Sequence, residues 1–244
     1  MQPSPCSSVR RARWLALGAS LAFCAFATGC MGTAEDDGLE PPPEGPFPFV
    51  PDEEIVDYPL DAGGTDKGDV MENIVFATAL INALDFPDAA ATEIQLADFY
   101  NPTGDGVFPE GSPFPAGTKK PRALLITMAA RWCQPCRVEA KGTLPDKYAE
   151  LGPKGAEFLL VLADGAKAGV RATEEDLRVW TGSFDTAYPA AIDEDSELAQ
   201  HFQKEQYPAN MIIDTTTMKI VERIVGIPGK TSGFWKLMAS LVED

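Results

Sequence analysis

The chain has 244 residues, 45% hydrophobic and 9% aromatic, which excludes wholesale disorder and provides for a sizeable core in one domain of ordinary size. The 20 Lys and Arg face 37 Asp and Glu, a formal net charge of −17. That balance repels phosphate, so it argues against nucleic acid as a partner and requires any membrane attachment to be apolar rather than electrostatic.

Residues 1–29 carry no acid, and Arg10, Arg11 and Arg13 precede an apolar run over 14–27 that ends in Thr28-Gly29-Cys30. A basic start, a short apolar stretch and small residues at its end make an export signal. The run is too short and too poorly flanked for a membrane-spanning helix. A buried N-terminal helix would not sort charge so sharply. Ala27-Thr28-Gly29-Cys30 resembles the lipobox of bacterial lipoproteins, although that family prefers Leu where Ala27 stands. Leu21-Ala22-Phe23-Cys24 is a poorer match, because Phe23 is bulky where a small residue is needed. The resemblance implies a signal peptide over 1–29, lipidation of Cys30, and an acyl anchor on the periplasmic face of an inner or outer membrane. Cleavage there would remove Cys6 and Cys24. With Cys30 acylated, Cys133 and Cys136 are the thiols left, and any disulfide is local.

Residues 30–69 change character. Twelve acids from Glu35 to Asp69 face a single base, Lys67, and Pro41-Pro42-Pro43, Pro46, Pro48, Pro51 and Pro59 exclude helix and interior strand. Such a segment reads as a disordered, self-repelling linker, and about forty flexible residues span on the order of 35 Å. It serves equally as a stalk for reaching partners above a membrane or as a spacer with no specific role.

The folded domain is expected over 70–244. Residues 74–76 and 93–96 read as short strands, 96–100 as a turn or short helix, and 101–118, rich in Gly and Pro, as a loop. Residues 122–128 (Arg-Ala-Leu-Leu-Ile-Thr-Met) and 158–162 (Phe-Leu-Leu-Val-Leu) read as buried strands. Between them a helix runs from the Cys motif towards Leu151, with an interruption expected near Gly142 and Pro145. Thr173-Glu174-Glu175-Asp176 opens a helix with capping-box spacing, carrying Leu177 and Trp180. A short helix over 196–202, strands over 209–214 and 219–225, and a closing helix over 234–242 complete the order. This alternation gives an α/β sandwich of three layers.

Trp132-Cys133-Gln134-Pro135-Cys136 follows a buried strand and opens a helix, and that context points to redox chemistry. Two intervening residues put both sulfurs in the first helical turn. The first lies at the helix terminus, where unpaired N–H groups and the dipole favour a thiolate, lowering its pKa from about 8.5 to roughly 7. Cys133 is therefore assigned as the attacking thiol and Cys136 as the resolving thiol. Pro135 fits the helix start. The alternatives are an inert bridge, worth little across so short a loop, or half of a zinc site. Zinc wants about four ligands, and the domain offers two Cys and one His, His201, which reads as surface or packing. No metal or other cofactor is expected.

Residues 70–244 resemble the thioredoxin fold, and more closely its exported, membrane-tethered branch of the TlpA/ResA type, in which the central sheet is mixed. The resemblance rests on Trp132 to Arg137, on Glu139 as an acid three residues beyond the second Cys, on Tyr207-Pro208-Ala209 before a strand, and on Gly226 after the last strand. It implies a cis proline at Pro208, a substrate groove bordered by Trp132, Tyr207, Pro208 and Ala209, and Glu139 as a base acting directly or through water. Glu139 also reads plainly as a solvated helix acid, Pro208 as a trans strand-start proline, Trp132 as simple packing. Arg131 and Arg137 either favour the thiolate or are merely solvated. Thr127 stands where thioredoxin has a buried Asp, Ala129 where an aromatic is common, and Lys141 where a helix proline is expected.

The implied function is a lipid-anchored thiol–disulfide oxidoreductase acting on cysteine-containing protein substrates. Pro135 resembles the reducing members of the family, which implies a membrane thiol reductant as electron donor. A peroxidase of the peroxiredoxin type would carry Thr where Ala130 stands. A copper-delivery module of the Sco type would need a wider Cys pair. A tethered client-binding domain without turnover is the non-enzymatic alternative.

Overall fold

The computed structural model describes residues 58–59, 61–202 and 206–243. The expected signal peptide, Cys30 and residues 30–57 of the expected linker lie outside the described residues.

Seven strands form one mixed sheet: β1 (Val75–Leu80), β2 (Thr92–Gln95), β3 (Ala123–Ala130), β4 (Ala156–Asp164), β5 (Ala190–Ile192), β6 (Ala209–Asp214) and β7 (Lys219–Val225). Their order is β2-β1-β5-β4-β3-β6-β7. β3–β4 and β4–β5 are parallel, and the other neighbouring pairs are antiparallel. The helices are α1 (Gln134–Leu151), α2 (Glu174–Ser183) and α3 (Gly233–Val242). β3 is buried at every position, as its unbroken apolar run requires of a strand covered on both faces.

Alternation sorts the central strands. Leu125, Ala129, Leu160, Leu162 and Ile212 face Ala140 and Leu144 of α1, Leu177 and Trp180 of α2, and Trp235 and Met238 of α3. Leu124, Ile126, Met128, Val161, Met211 and Ile213 face the other way. That second face is covered by 3-10 turns over Leu96–Phe99 and Leu198–His201 and by the 101–118 loop, which contributes a stacked Phe108–Phe114 pair.

Three features differ from the sequence reading. First, α1 is one continuous helix of 18 residues with Pro145 inside it. Pro145 is solvent-exposed, while Cys136, Glu139, Ala140, Thr143, Leu144 and Leu151 are buried along the opposite stripe, so packing on the sheet outweighs the hydrogen bond that the proline removes. Second, β5 has only three residues with little strand propensity, and it forms because it fills the gap between β1 and β4. Third, the chain is tied to the domain before Val70. Tyr58 donates to Met71 O and sits edge-on to Tyr100, Gly68 N donates to Ile220 O, and Arg223 pairs with Asp66.

Candidate functional site

β3 ends at Ala130, the chain turns through Arg131 and Trp132, and α1 begins at Gln134. Arg131 N donates to Asp164 O and Cys133 N to Ala130 O, so the turn is fixed on both sides. Cys133 is the N-cap of α1. Its Sγ accepts the Cys136 amide N–H at 3.1 Å, and Pro occupies the first turn, where its missing N–H costs nothing. Cys133 and Cys136 are joined as a disulfide with Cα atoms 5.4 Å apart, and both are buried. The cap hydrogen bond is the local interaction that would stabilise a thiolate on Cys133, because a charged acceptor strengthens an N–H bond at a helix start.

Glu139 lies one turn along α1 from Cys136 on the same stripe, and it is 1% exposed. The solvated-acid reading therefore fails. Loss of solvation pushes its carboxyl from the usual 4.5 up to about 8, with a hydrogen bond from Asn210 Nδ2 to Oε1 at 3.0 Å acting in the opposite direction. Asn210 is wholly buried on β6, in register with Thr127 of β3, on the helix-facing side of the sheet. Its Nδ2 also donates to Gly226 O, while its Oδ1 has no protein partner. Thr127, where a titratable acid stands in thioredoxin, offers none.

Tyr207–Pro208 is a cis peptide bond, and Pro208 O accepts the Gly226 amide at 2.7 Å. Gly226 has φ +91°, and a Cβ there would meet nothing within 4 Å, so backbone conformation rather than space demands glycine. Trp132 is 37% exposed. Its Nε1 donates to Asp164 Oδ2 at 3.1 Å, and its ring lies edge-on to that of the half-buried Tyr207 at 6.0 Å. Ala209 differs from expectation: it is fully buried on β6 with Met211 and Ile213, facing away from α1, so its side chain borders no surface groove. Arg131 is ion-paired with Asp176, and Arg137 donates to Arg131 O through Nε and Nη2. His201 is buried rather than on the surface, with Nε2 3.2 Å from Glu72 Oε1. Among the described residues no group of three or more His, Cys, Asp or Glu could hold a metal ion, and no helix is long and apolar enough to cross a membrane.

Sequence reasoning missed Asn210 and Asp164. Each left a signal: a lone amide in the apolar run 209–213, and an acid closing the apolar strand β4. Asp164 Oδ2 holds both Trp132 Nε1 and Gly169 N, so one buried carboxylate fixes the aromatic next to the disulfide and the following loop.

Residues 109–223 match the model of the AhpC/TSA family. No curated protein sequence matches the chain. Among solved structures, a Chlorobium tepidum protein assigned as thiol:disulfide interchange protein DsbE aligns at 17% identity and TM-score 0.50, covering 72% of this chain and 98% of that one. A secreted thiol-disulfide isomerase from Corynebacterium glutamicum aligns at 14% identity and TM-score 0.51, covering 76% and 92%. A Bacteroides thetaiotaomicron protein assigned as a protein disulfide isomerase aligns at 12% identity and TM-score 0.51, covering 73% and 91%. These likenesses establish a thioredoxin-like α/β fold with a mixed seven-stranded sheet.

Proposed function

We propose that the chain is an exported thiol–disulfide oxidoreductase that exchanges disulfides with cysteine-containing proteins through Cys133 and Cys136. The observation that carries this reading is a closable Cys pair at a helix start, with the Cys136 amide on Cys133 Sγ. In the reduced protein, the Cys133 thiolate attacks a client disulfide. One client sulfur bonds to Cys133 and the other leaves as a thiolate. The Cys136 thiolate then attacks Cys133 Sγ, forming the bond seen here and releasing the second client thiol. Two electrons pass to the client, and a membrane thiol reductant restores the pair. Glu139, held near neutrality by burial, would accept the Cys136 proton as that thiol becomes a nucleophile. A protonated Glu139 also carries an O–H able to answer the unpartnered Asn210 Oδ1.

Trp132 and Tyr207 would form the client-facing surface, with the buried Pro208 setting the backbone beside Tyr207, and a lipid on Cys30 would hold the domain at a membrane through the acidic linker. The similarity to a secreted thiol-disulfide isomerase supports an extracytoplasmic setting. Ala130, fully buried at the end of β3, stands where peroxidases of this fold carry Thr, which disfavours peroxide as the substrate. The test is turnover of a peptide disulfide by the full chain and by Cys133→Ser, with dithiothreitol as the electron source and its uncatalysed rate subtracted. Turnover lost in the variant supports the reading; a wild type inert to the disulfide but consuming peroxide overturns it. Mass spectrometry of the mature N-terminus tests the anchor, and an unmodified Cys30 removes it.

A further inference from the structure

Beside the redox pair, α1 and α2 leave a groove of about 290 Å³. Its cationic side is Arg131, Arg137 and Lys141, and its apolar side is Val179, Trp180 and Phe184. Three cations on one small groove are unusual on a chain with nearly twice as many acids as bases. Arg131 is paired with Asp176, whose carboxylate also accepts from Thr173 N and Oγ1. Arg137 uses Nε and Nη2 on a backbone carbonyl, which fixes the guanidinium without neutralising it. The Lys141 ammonium lies 5.9 Å from the Phe184 ring centroid. Neither Arg137 nor Lys141 has an acidic partner among the described residues. They are four residues apart on α1, so they share a face, and Arg137 directly follows Cys136.

We infer that this groove binds a carboxylate of the client, carried by an Asp or Glu a few positions from the reacting cysteine. The inference rests on the disulfide-exchange reading above. Arg131 is two residues from Cys133, which places their Cα atoms within about 8 Å, and an extended client advances about 3.3 Å per residue. An acid two to four positions away therefore comes alongside the cations while the client sulfur meets Cys133. The apolar side of the groove suits the methylenes and neighbours of a peptide acid better than a fully hydrated inorganic anion. Elsewhere the chain's net negative charge repels acidic segments, so the groove fixes the register in which one can dock.

The experiment compares two peptide disulfides, identical except for Glu or Gln three residues from the reacting cysteine, on the full chain with dithiothreitol as the electron source and its uncatalysed rate subtracted. The wild type should exchange the Glu peptide with about 5-fold higher kcat/KM at low salt, the scale of one or two partly exposed ion pairs, and 0.5 M salt should erase most of that preference. The Arg137→Gln, Lys141→Gln double variant should bring the ratio close to one, and Lys141→Glu should lower it further. Using the ratio on each variant cancels any change in folding or in Cys133 reactivity. Equal rates on both peptides in the wild type, or a ratio unchanged in the double variant, would overturn this inference and leave the exchange reading standing. A wild type that exchanges neither peptide would overturn both.

Discussion

Glu139→Gln isolates the buried acid. Gln preserves shape and the acceptor for Asn210 Nδ2 but cannot ionise. In the wild type the native carboxyl titrates near 8 against 4.5 for an ordinary Glu, so between those values the folded protein keeps a proton that the unfolded chain has lost. The unfolded state then binds fewer protons, and stability falls as pH rises. The advantage of Glu139→Gln over wild type should be small below pH 4.5, grow by about 1.4 kcal/mol per pH unit, and level off above pH 8 at up to about 5 kcal/mol. Glu157, which burial pushes up to about 7, titrates in both proteins and cancels from the difference. Urea unfolding of the oxidised proteins at pH 5, 6.5 and 8.5 reads the gap directly. Parallel pH profiles would show that Glu139 ionises normally, and its role as a proton acceptor would fall with that result.

Three further outcomes follow from the same geometry. Cys136→Ser should accumulate a mixed disulfide between Cys133 and the client on non-reducing gels, since no resolving thiol remains; a client adduct that accumulates on Cys136 in Cys133→Ser and not on Cys133 in Cys136→Ser would reverse the assignment. Asn210→Ala removes the hydrogen bond that favours the ionised Glu139, so the pH profile of exchange should move up by about one unit, and a downward move would contradict the stated direction. Asp164→Ala leaves Trp132 Nε1 and Gly169 N without their acceptor and should cost about 1–3 kcal/mol, with faster amide exchange at Gly169; unchanged protection there would show that the carboxylate holds nothing.

The regular elements were legible where periodicity and local chemistry agreed. β6 and β7 fall at the expected residues, and Thr173 caps α2 reciprocally with Asp176. The redox motif was legible because a buried strand before it and a helix after it fix where the sulfurs lie. Elements decided by tertiary packing were not. β5 exists because a neighbour on each side supplies its partners, and α1 passes through Pro145 because its opposite stripe is buried. Glu139 was readable as a candidate, whereas its hydrogen-bond partner Asn210 arrives from a strand 71 residues later. Ala209 shows the converse limit: adjacency to Pro208 says nothing about which face of β6 a side chain takes, and alternation turns it away from the disulfide.

The central claim, that Cys133 and Cys136 exchange electrons with thiols, is tested most directly by equilibrating the full chain against dithiothreitol and glutathione buffers. Alkylation and peptide mapping then resolve this pair from Cys6, Cys24 and Cys30. A reversible two-electron transition at or below about −250 mV is the predicted result and identifies a reductant. A pair that never equilibrates with either buffer would contradict the account and leave a bridge without catalysis.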